Sequence, residues 1–597
     1  MLICCNVGCC QDCLDEERTV LQKIMESMGY EPDYESLPDD CCKWDTVHCS
    51  PTTSHVIRIF FNYIRKDEED PWNPDMSLFA NLTELQELHL QGNNIGALFN
   101  PGAICKLVYL QQLDVSANSI DDVPQPCWVN MPSLRSLDLS KNQFQGNLTS
   151  FLMNMSKVES IDVSYNLFQG QFPQHHPNPN INYNLTELDI SNNHFDGNLP
   201  SNINTLLPKL YYFNASSNLF SGTIPPCLGE SESLRLLDLS NNNLSGVVPV
   251  GLTNSSLSYL NLSNNSLHGK LLPENCSMEN LEVLLLQSNH FEGELPCCLS
   301  RSPNLKMLDV HHNNLWGTIS NLPVLKQLGA LLLGSNQFGG HIPRQLCQMQ
   351  MLQFLDLSEN KFSGNIPSCL KNGLFRRKKL QANSWVPVDF KTKGNSYSFD
   401  GIPRILMTGI DFSCNELVGN IPDEIGELNE LHSLNLSHNL LTGHIPTAFK
   451  NLTNLESLDL SHNSLTGQIP PEIVQIDSLE CFSVAFNNLS GRIPFNEHFS
   501  TLPESGFEGN QKLCGQQLER ECPGIGNDNE VEDGARKENN PNEESILDNH
   551  LLFYSLIFVG YAIGFWSVIA PLCISTNWRR IYFVTVDEWI EYLSYKF

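Results

Sequence analysis

Basic side chains are scarce in this sequence of 597 residues, which has 35 Lys and Arg against 67 Asp and Glu and a formal net charge of −32. A protein that follows a phosphate backbone needs a basic surface, so nucleic-acid binding is disfavoured. The 21 cysteines are too few for a small disulfide scaffold and many for a cytosolic enzyme. No motif pairs a nucleophile with a base or supplies a metal-water site, so we expect neither an enzyme nor a bound cofactor.

A repeated motif runs through most of the chain, with the pattern LxxLxLxxN in sixteen units that are mostly 23 to 25 residues apart. Two examples are LQELHLQGNNI from Leu85 and LESLDLSHNSL from Leu455. A period of this length indicates a repeat architecture rather than several separate domains. The asparagines that mark the units are Asn93, Asn118, Asn142, Asn166, Asn193, Asn218, Asn242, Asn265, Asn289, Asn313, Asn336, Asn360, Asn415, Asn439, Asn463 and Asn487.

The consensus predicts the structure of one unit. LxL alternates with period two, so its leucines point into a core while the residues between them face outward from a short strand. We expect the Asn to bond the backbone of the turn in the next coil. Because one unit cannot bury its leucines alone, the units must stack into a solenoid. This is a leucine-rich repeat, and the LxGxIP extension of many units resembles the plant extracellular subtype.

Cysteine-rich segments flank the repeats, with DCCKWDTVHC from Asp40 before them and GNQKLCGQQLEREC from Gly509 after them. A solenoid needs caps over its exposed ends. These segments resemble the paired-cysteine caps of plant leucine-rich repeat ectodomains. A zinc site is the alternative, but histidine ligands at suitable spacing are missing, and we expect no metal. The resemblance implies the pairs Cys42 with Cys49 and Cys514 with Cys522, and Cys13 with Cys41 is a third candidate pair.

Three further cysteines, Cys227, Cys298 and Cys369, share one repeat position, in PPCL, PCCL and PSCL. Cysteine without a partner behaves as a small buried hydrophobe. We expect these three to be buried and unpaired.

The repeat phase breaks once, between Asn360 and Asn415, which are 55 residues apart. We call the insert, residues 371–405, the island. It carries eight Lys and Arg against two Asp, an excess of +6 in an acidic chain. A long loop inside a compact array is usually functional or disordered, so a recognition element and a solvated loop both stay open.

A candidate ligand surface follows from three consecutive units whose outward strand positions lack the usual polar pair. The strand positions that face outward are the third, fifth and seventh of the motif. We hypothesise that this patch and the island hold a peptide or an acidic glycan, with drift on a solvated surface as the alternative. Adjacent strand residues point to opposite faces, so His311 and His312 are not expected to bind a metal jointly. Because histidine titrates in mild acid, sensing of acidity is an alternative role for either one. The candidate residues are Leu285, Gln287, His311, His312, Leu332 and Gly334 in the repeats and Lys391, Lys393 and Tyr397 in the island.

Residues 551–575 are almost uninterruptedly apolar and are long enough to span a bilayer, so we predict a transmembrane helix. Arg579 and Arg580 follow it and favour a cytoplasmic C terminus. Gly560 and Gly564 form GxxxG, a spacing that lets two helices approach closely. The short tail leaves no room for a kinase, so signalling would require a partner that supplies one. The first residues lack a basic region and a full apolar stretch, and we interpret them as a signal-peptide remnant or a degenerate start.

Glycosylation sequons support exposure of the repeats to the secretory pathway. They begin at Asn81, Asn147, Asn154, Asn184, Asn214, Asn243, Asn254, Asn261, Asn264, Asn275, Asn435, Asn451 and Asn488. The repeat motif itself creates sequons at Asn261 and Asn435, on the strand face, where a glycan would obstruct binding.

The order of these parts resembles that of the plant receptor-like proteins over nearly the entire chain. The stretch MTGIDFSCNELVGNIPDEIGELNELHSLNLSHN and the later FEGNQKLCG are especially similar to that family. The resemblance implies an α/β solenoid, an extracellular leucine-rich repeat horseshoe with disulfide caps, plus one transmembrane helix. The expected parts are a start at 1–12, an N-terminal cap at 13–80, repeats at 81–370, the island at 371–405, repeats at 406–495, a C-terminal cap at 496–527, an acidic spacer at 528–550, the helix at 551–575 and a tail at 576–597.

The resemblance also implies a function. Family members are kinase-lacking receptors of the plasma membrane that bind an extracellular peptide, protein or glycan and signal through a membrane leucine-rich repeat receptor kinase. It implies a role in plant defence, with a developmental peptide co-receptor as one alternative. A non-signalling adhesion protein or an inhibitor of wall-degrading enzymes is the other, and the predicted membrane helix argues against it.

Overall fold

The computed structural model describes residues 13–29, 38–65, 70–122, 124, 127–148, 157–174, 183–273, 276–372, 386–400, 406–497 and 499–522. The predicted start at 1–12, the acidic spacer, the transmembrane segment with Gly560 and Gly564, and the tail lie outside these ranges. Within them, no helix combines the length and the apolar composition that a bilayer crossing requires.

One strand from each repeat joins a single concave sheet of eighteen strands. Neighbouring strands are parallel, except for the first pair in the N-terminal cap, which is antiparallel. Each strand is only three to five residues long because the motif supplies one LxL per coil before the chain turns. The strands are β1 (Val47–Cys49), β2 (Val56–Phe60), β3 (Glu87–His89), β4 (Gln112–Asp114), β5 (Ser136–Asp138), β7 (Ser160–Asp162), β9 (Glu187–Asp189), β11 (Tyr212–Asn214), β13 (Leu236–Asp238), β15 (Tyr259–Asn261), β17 (Val283–Leu285), β19 (Met307–Asp309), β21 (Ala330–Leu332), β23 (Phe354–Asp356), β27 (Gly409–Asp411), β29 (Ser433–Asn435), β31 (Ser457–Asp459) and β33 (Cys481–Ser483).

The LxG part of each unit forms a second parallel sheet of fifteen strands, and the island contributes a separate two-stranded hairpin. The second sheet contains β6 (Gln145–Asn147), β8 (Leu167–Gln171), β10 (His194–Asn198), β12 (Leu219–Thr223), β14 (Asn243–Gly246), β16 (Ser266–Lys270), β18 (His290–Gly293), β20 (Asn314–Thr318), β22 (Gln337–His341), β24 (Lys361–Gly364), β28 (Glu416–Asn420), β30 (Leu440–Gly443), β32 (Ser464–Gly467), β34 (Asn488–Arg492) and β35 (Lys512–Cys514). The hairpin consists of β25 (Val388–Thr392) and β26 (Asn395–Phe399).

Short helical turns follow the second sheet in most units, where the proline of LxGxIP leads into them. The α-helices are α1 (Asp15–Ser27) in the N-terminal cap, α2 (Met76–Phe79) and α3 (Ile203–Leu206). The 3-10 turns are Cys41–Lys43, Pro101–Lys106, Trp128–Asn130, Pro226–Glu230, Leu252–Asn254, Cys297–Arg301, Arg344–Gln348, Ser368–Asn372, Asp423–Glu427, Thr447–Asn451, Pro471–Gln475, Phe499–Thr501, Glu504–Gly506 and Gln516–Leu518.

The repeat asparagines form a buried ladder of hydrogen bonds. Asn242 donates from Nδ2 to the carbonyl oxygen of Ala215 at 3.0 Å, and its Oδ1 accepts from the backbone N–H of Phe220 at 2.9 Å. It also donates to its own turn, at Leu239 and Ser240. The expectation that each asparagine bonds the next coil was therefore wrong in direction, because the side chain leans toward the preceding coil, whose backbone groups would otherwise be buried without partners.

The interior of the solenoid is filled by side chains that repeat in register. Phe144, Phe168, Phe195 and Phe220 stack from one coil to the next, with ring centroids 6.2 to 6.4 Å apart. Each of these rings is almost completely buried. The core is thus one continuous row shared by neighbouring coils, which explains why a single unit could not fold alone.

Six disulfides crosslink the described residues. Three lie in the caps, Cys13–Cys41 and Cys42–Cys49 at the N-terminal end and Cys514–Cys522 at the C-terminal end. Cys13, Cys41 and Cys42 lie close enough together to hold a metal, but the two disulfides occupy their sulfur atoms. Three more join neighbouring coils, namely Cys105–Cys127, Cys276–Cys298 and Cys347–Cys369.

The expectation that Cys298 and Cys369 are unpaired was wrong, because each is bonded to a cysteine one coil earlier. The three inter-coil disulfides all have a sequence separation of 22 residues. Cys227 is buried and free. Its partner position, 22 residues earlier, is filled by Thr205, which cannot form a disulfide.

Replacing Thr205 by cysteine is expected to create a fourth inter-coil disulfide with Cys227, because the new residue has the register of the three existing pairs. Closing a loop of this length should stabilise the folded chain by about 3 kcal/mol. The measurements are titration of free thiols in denaturant and the thermal midpoint, with Thr205→Ser as the control. A variant in which the Cys227 thiol still titrates would contradict the prediction.

Candidate functional site

The concave sheet presents three rows of side chains, from the third, fifth and seventh positions of the motif. The third-position row is apolar in six consecutive units. Further along the solenoid the same row becomes small, with Gly409, Ser433 and Ser457. The apolar members are Leu236, Tyr259, Val283, Met307, Ala330 and Phe354. We call these six apolar residues the floor, because the island hairpin lies over them.

The island hairpin is built by local sequence. Its turn consists of Lys393 and Gly394, which both have positive φ angles, 50° and 76°, as the tightest hairpin turns require. Along β25 the side chains alternate, with Val388, Phe390 and Thr392 buried and the residues between them exposed. One side of β25 therefore faces the concave sheet and the other faces solvent.

Phe390 anchors the hairpin on the floor. Its ring centroid lies 5.4 Å from that of Phe354 on β23. The ring also lies directly on Gly409 of β27, where a Cβ atom would be only 2.3 Å from the nearest ring carbon. A side chain at Gly409 would therefore displace the ring, and the glycine is needed for this close approach.

The hairpin tip is held by polar contacts further along the solenoid. Thr392 donates from Oγ1 to Ser433 Oγ at 2.8 Å, and both side chains are buried. Lys393 Nζ lies 2.7 Å from Glu456 Oε2 and 2.6 Å from Glu480 Oε2. Burial alone would lower the pKa of Lys393, but its hydrogen bonds with the two glutamates outweigh that effect and raise it. β25 thus crosses several concave strands instead of pairing with one of them.

The hairpin and the floor share an apolar cluster separate from the solenoid core. Two of the predicted ligand-binding residues, Leu285 and Leu332, belong to it and are only 6% and 1% exposed. The expectation that they face an open surface was wrong, because the island of the same chain covers them. The buried members are Tyr259, Leu285, Met307, Ala330, Leu332, Phe354, Val386, Val388, Phe390 and Met407.

The two predicted histidines lie at the margin of this covered region. His311 Nδ1 is 2.6 Å from Asp309 Oδ1. The ring centroids of His311 and His312 are 4.9 Å apart, so the expectation that they point to opposite faces was wrong. His312 has a φ of 51°, which takes the chain out of the strand and ends the alternation.

The remaining predicted residues have distinct environments. Gln287 is half-buried, and its Oε1 is an unpaired buried oxygen within the described part of the chain. Gly334 leaves space that the carboxylate of Asp356 borders. In the island, Lys391 is exposed and Tyr397 is 43% exposed, whereas Lys393 is engaged by its two glutamates. The structure therefore places the island directly against the predicted patch but leaves fewer of these side chains free than the sequence suggested.

The third-position row was missed by the sequence argument, which compared only the fifth and seventh positions. The signal was present, because an apolar residue stands at the third position in six successive units, although a strand exposed to water on that face would carry polar residues there.

Carboxylates line the fifth position on both sides of the covered region. Burial, and then the charge of Asp189, raises the pKa of Asp162 to about 6. Burial, and then the charge of Asp356, raises the pKa of Asp411 to about 7. Each carboxylate accepts a hydrogen bond from the backbone N–H two residues later, as Asp162 does from Ser164 at 2.8 Å. The fifth-position row is therefore acidic, and at Asp162 and Asp411 burial holds the pKa well above that of a free carboxyl group.

The sequons divide into exposed positions and positions inside the concave sheet. Asn261 is 8% exposed, and its Nδ2 donates to Asp238 Oδ2 at 2.9 Å while its Oδ1 accepts from Ser263 Oγ at 2.7 Å. Asn214 and Asn435 occupy the same place in their units. The exposed sequon asparagines are Asn81, Asn147, Asn243, Asn264, Asn451 and Asn488. Asn184 is half-buried, the side chain of Asn254 is not described, and Asn154 and Asn275 lie outside the described residues.

We expect glycopeptide mapping of the folded protein to find high occupancy at Asn243 and little or none at Asn261. A glycan on Asn261 would break the side-chain bonds to Asp238 and Ser263. Both sequons have the sequence N-L-S, so Asn243 is a matched internal control. Similar occupancy at the two positions would contradict the prediction.

Family models agree with this architecture. One model described as "Leucine rich repeat" matches residues 108–168 and 429–489. A second, "Leucine Rich Repeat", matches residues 184–206, 233–255, 256–278 and 351–372. With the two parallel sheets and the asparagine ladder, these matches define a leucine-rich repeat protein.

Curated relatives make the assignment more specific. The chain is 50% identical over 216 residues to Cuscuta receptor 1 of Solanum lycopersicum, which covers 35% of this chain and 18% of the relative. It is 50% identical over 204 residues to Receptor-like protein 9b of Arabidopsis thaliana, covering 34% of this chain and 21% of the relative. The predicted resemblance to the plant leucine-rich repeat receptor-like proteins is thereby confirmed. The matched part spans about a fifth of the length of these relatives.

Among solved structures, the chain is similar to the Arabidopsis receptor kinase HAESA in complex with the peptide hormone IDA and the co-receptor SERK1. The identity is 23%, the TM-score is 0.48, and the match covers 84% of this chain and 99% of that chain.

Proposed function

We propose that this protein is a cell-surface receptor whose leucine-rich repeat ectodomain binds an extracellular peptide, protein or glycan. In this proposal it is a type I plasma-membrane protein whose membrane helix is followed by a cytoplasmic segment, and it signals in plant defence through an associated membrane receptor kinase. The observation that carries the proposal is the island hairpin of β25 and β26, which is folded onto the concave face rather than extended into solvent. The names of the relatives, a Cuscuta receptor and a receptor-like protein, support the same class.

We place the ligand surface on the outward side of the island and the open concave repeats beside it. Lys391 and Tyr397 are the exposed island residues among the predicted ligand-binding residues, and His312 is the exposed histidine at the margin of the covered patch. Leu285 and Leu332 contribute indirectly, because they support the hairpin that presents these side chains.

The test is affinity purification of the tagged full-length chain from plant membranes, followed by mass spectrometry of co-purifying kinases. We expect the unmodified chain to recover a membrane receptor kinase. Replacing Gly560 and Gly564 with leucine should reduce recovery about tenfold, because close helix approach depends on small residues. Ala562→Leu, which lies between the two glycines, is the matched control.

Absence of any kinase from the unmodified chain would contradict the signalling role and favour a non-signalling adhesion or inhibitor protein. Equal recovery with the double glycine variant would remove the helix-pairing part of the proposal only.

A further inference from the structure

A group of buried and half-buried ionisable side chains lies beside the island hairpin. Asp309, Asp356 and Asp411 occupy the fifth position on β19, β23 and β27, and Leu332 stands in the same register between the first two. Asp309 and Asp411 are each only 1% exposed. Because Leu332 belongs to the cluster that the hairpin covers, the island's apolar cover directly borders the carboxylates.

Gly334 determines where the middle carboxylate lies. A Cβ atom at Gly334 would be 2.7 Å from Asp356 Oδ2 and 3.0 Å from Asp356 Oδ1. The carboxylate therefore leans over β21 toward β19, where His311 binds Asp309. In most units this position holds serine, which would exclude that arrangement. The glycine thus places two carboxylates beside one imidazole.

We propose that protons control the covering of the concave face, so that the island hairpin is closed in mild acid and is released as the pH rises toward neutrality. The groups responsible are His311 and the carboxylates of Asp356 and Asp411, which border the apolar cluster that the closed hairpin covers. The proposal concerns the purified chain and does not depend on the proposed receptor function.

The carboxylates around His311, Asp356 and Asp411 favour the protonated forms of these groups, whereas the charge of His311 acts against protonation of Asp356. His311 faces Asp309 on its own strand, Asp356 across Gly334, Asp389 of the island and the neighbouring His312. Burial lowers the pKa of His311, but the surrounding carboxylates outweigh burial and raise it. Burial raises the pKa of Asp356, and the like charge of Asp309 also raises it. Burial, and then the like charge of Asp356, raises the pKa of Asp411 to about 7.

The sign follows from these shifts. His311, Asp356 and Asp411 each have a raised pKa in the closed structure. Release of the hairpin would take Asp389 away from His311 and would uncover the strand of Asp411, where Phe390 lies on Gly409. Their contribution to closure is therefore fully present at low pH and is lost as the pH rises through the closed-state pKa values, up to about 7 for Asp411. Lys393 does not oppose this, because its raised pKa keeps it charged throughout and its bonds to Glu456 and Glu480 hold the tip.

Hydrogen exchange with mass spectrometry on the purified full-length chain tests the proposal. Exchange of the peptide that covers residues 386–400, corrected for the intrinsic pH dependence of amide exchange, is compared at pH 5.5 and pH 7.5. We expect about tenfold faster corrected exchange at pH 7.5, since release of one proton on opening allows up to tenfold per pH unit.

The test variant combines Asp356→Ser and Asp411→Ser, which removes both carboxyl groups whose pKa is raised. Serine stands at this position natively in Ser483, whereas asparagine would create N-x-S sequons at both sites. The variant should lose more than half of the pH effect, with the hairpin protected at both pH values. His290→Gln, an exposed histidine on β18, should retain the full effect.

Equal corrected exchange of the unmodified chain at the two pH values would overturn the proposal, whether or not the double variant folds. Retention of the full pH effect in a folded double variant would also overturn it, because the effect would then come from other groups.

Discussion

Replacing Phe390 by alanine is expected to release the island hairpin from the concave face while the repeats stay folded. Phe390 is 2% exposed, and its ring fills the space between Phe354 and the backbone at Gly409. Truncation of a buried phenylalanine costs about 3 to 5 kcal/mol. The hairpin is held by its small apolar contact with the concave sheet and by the polar contacts of Thr392 and Lys393 at its tip. A loss of that size should therefore open the hairpin locally rather than unfold the solenoid.

The measurement is hydrogen exchange of residues 386–400, where protection should fall by roughly a hundredfold to a few thousandfold, since 1.4 kcal/mol corresponds to a factor of ten. Tyr397→Ala is the matched control, because Tyr397 is the cross-strand partner of Phe390 on β26 but is 43% exposed. Gly409→Ala approaches the same contact from the opposite side and should also unseat the ring. Unchanged protection in both Phe390→Ala and Gly409→Ala would show that the hairpin is held by its tip alone.

Replacing Asn313 by alanine is expected to destabilise the central repeats by about 3 to 5 kcal/mol. Its Nδ2 donates to the carbonyl oxygens of Leu286, Val310 and His311, and its Oδ1 accepts from the N–H of Phe291. Alanine leaves these buried backbone groups without partners, and each such group costs about 1 to 3 kcal/mol.

The adjacent Asn314 provides the control, since it is exposed on β20, and Asn314→Ala should change stability by less than about 0.5 kcal/mol. The measurement is urea unfolding monitored by circular dichroism, with hydrogen exchange to show whether the loss spreads from the altered coil. Because a repeat array does not always unfold in one step, exchange in the neighbouring coils decides the result. Equal midpoints for the two variants would contradict the importance of the ladder.

Part of the candidate site could be predicted from the sequence and part could not. The unusual faces at Leu285 and Leu332 and the inserted island were both visible, and their proximity in sequence suggested a shared role. Their relation was misjudged, because a motif shows which way a side chain points from its strand but not what covers it. The disulfides of Cys298 and Cys369 were missed for a similar reason, since their partners lie one coil earlier and not beside them in the motif.

The sequence by itself determined the repeat, its length and which side chains point into the core, because the leucines of LxxLxLxxN can be buried only when neighbouring coils cover each other. It also determined the position of the island, because the interval from Asn360 to Asn415 breaks the period. The tertiary structure alone decided that the island hairpin folds back over the third-position row, and that the Asp356 carboxylate occupies the space left by Gly334. These contacts join residues that stand in different coils, and no local pattern fixes the separation of such residues in space.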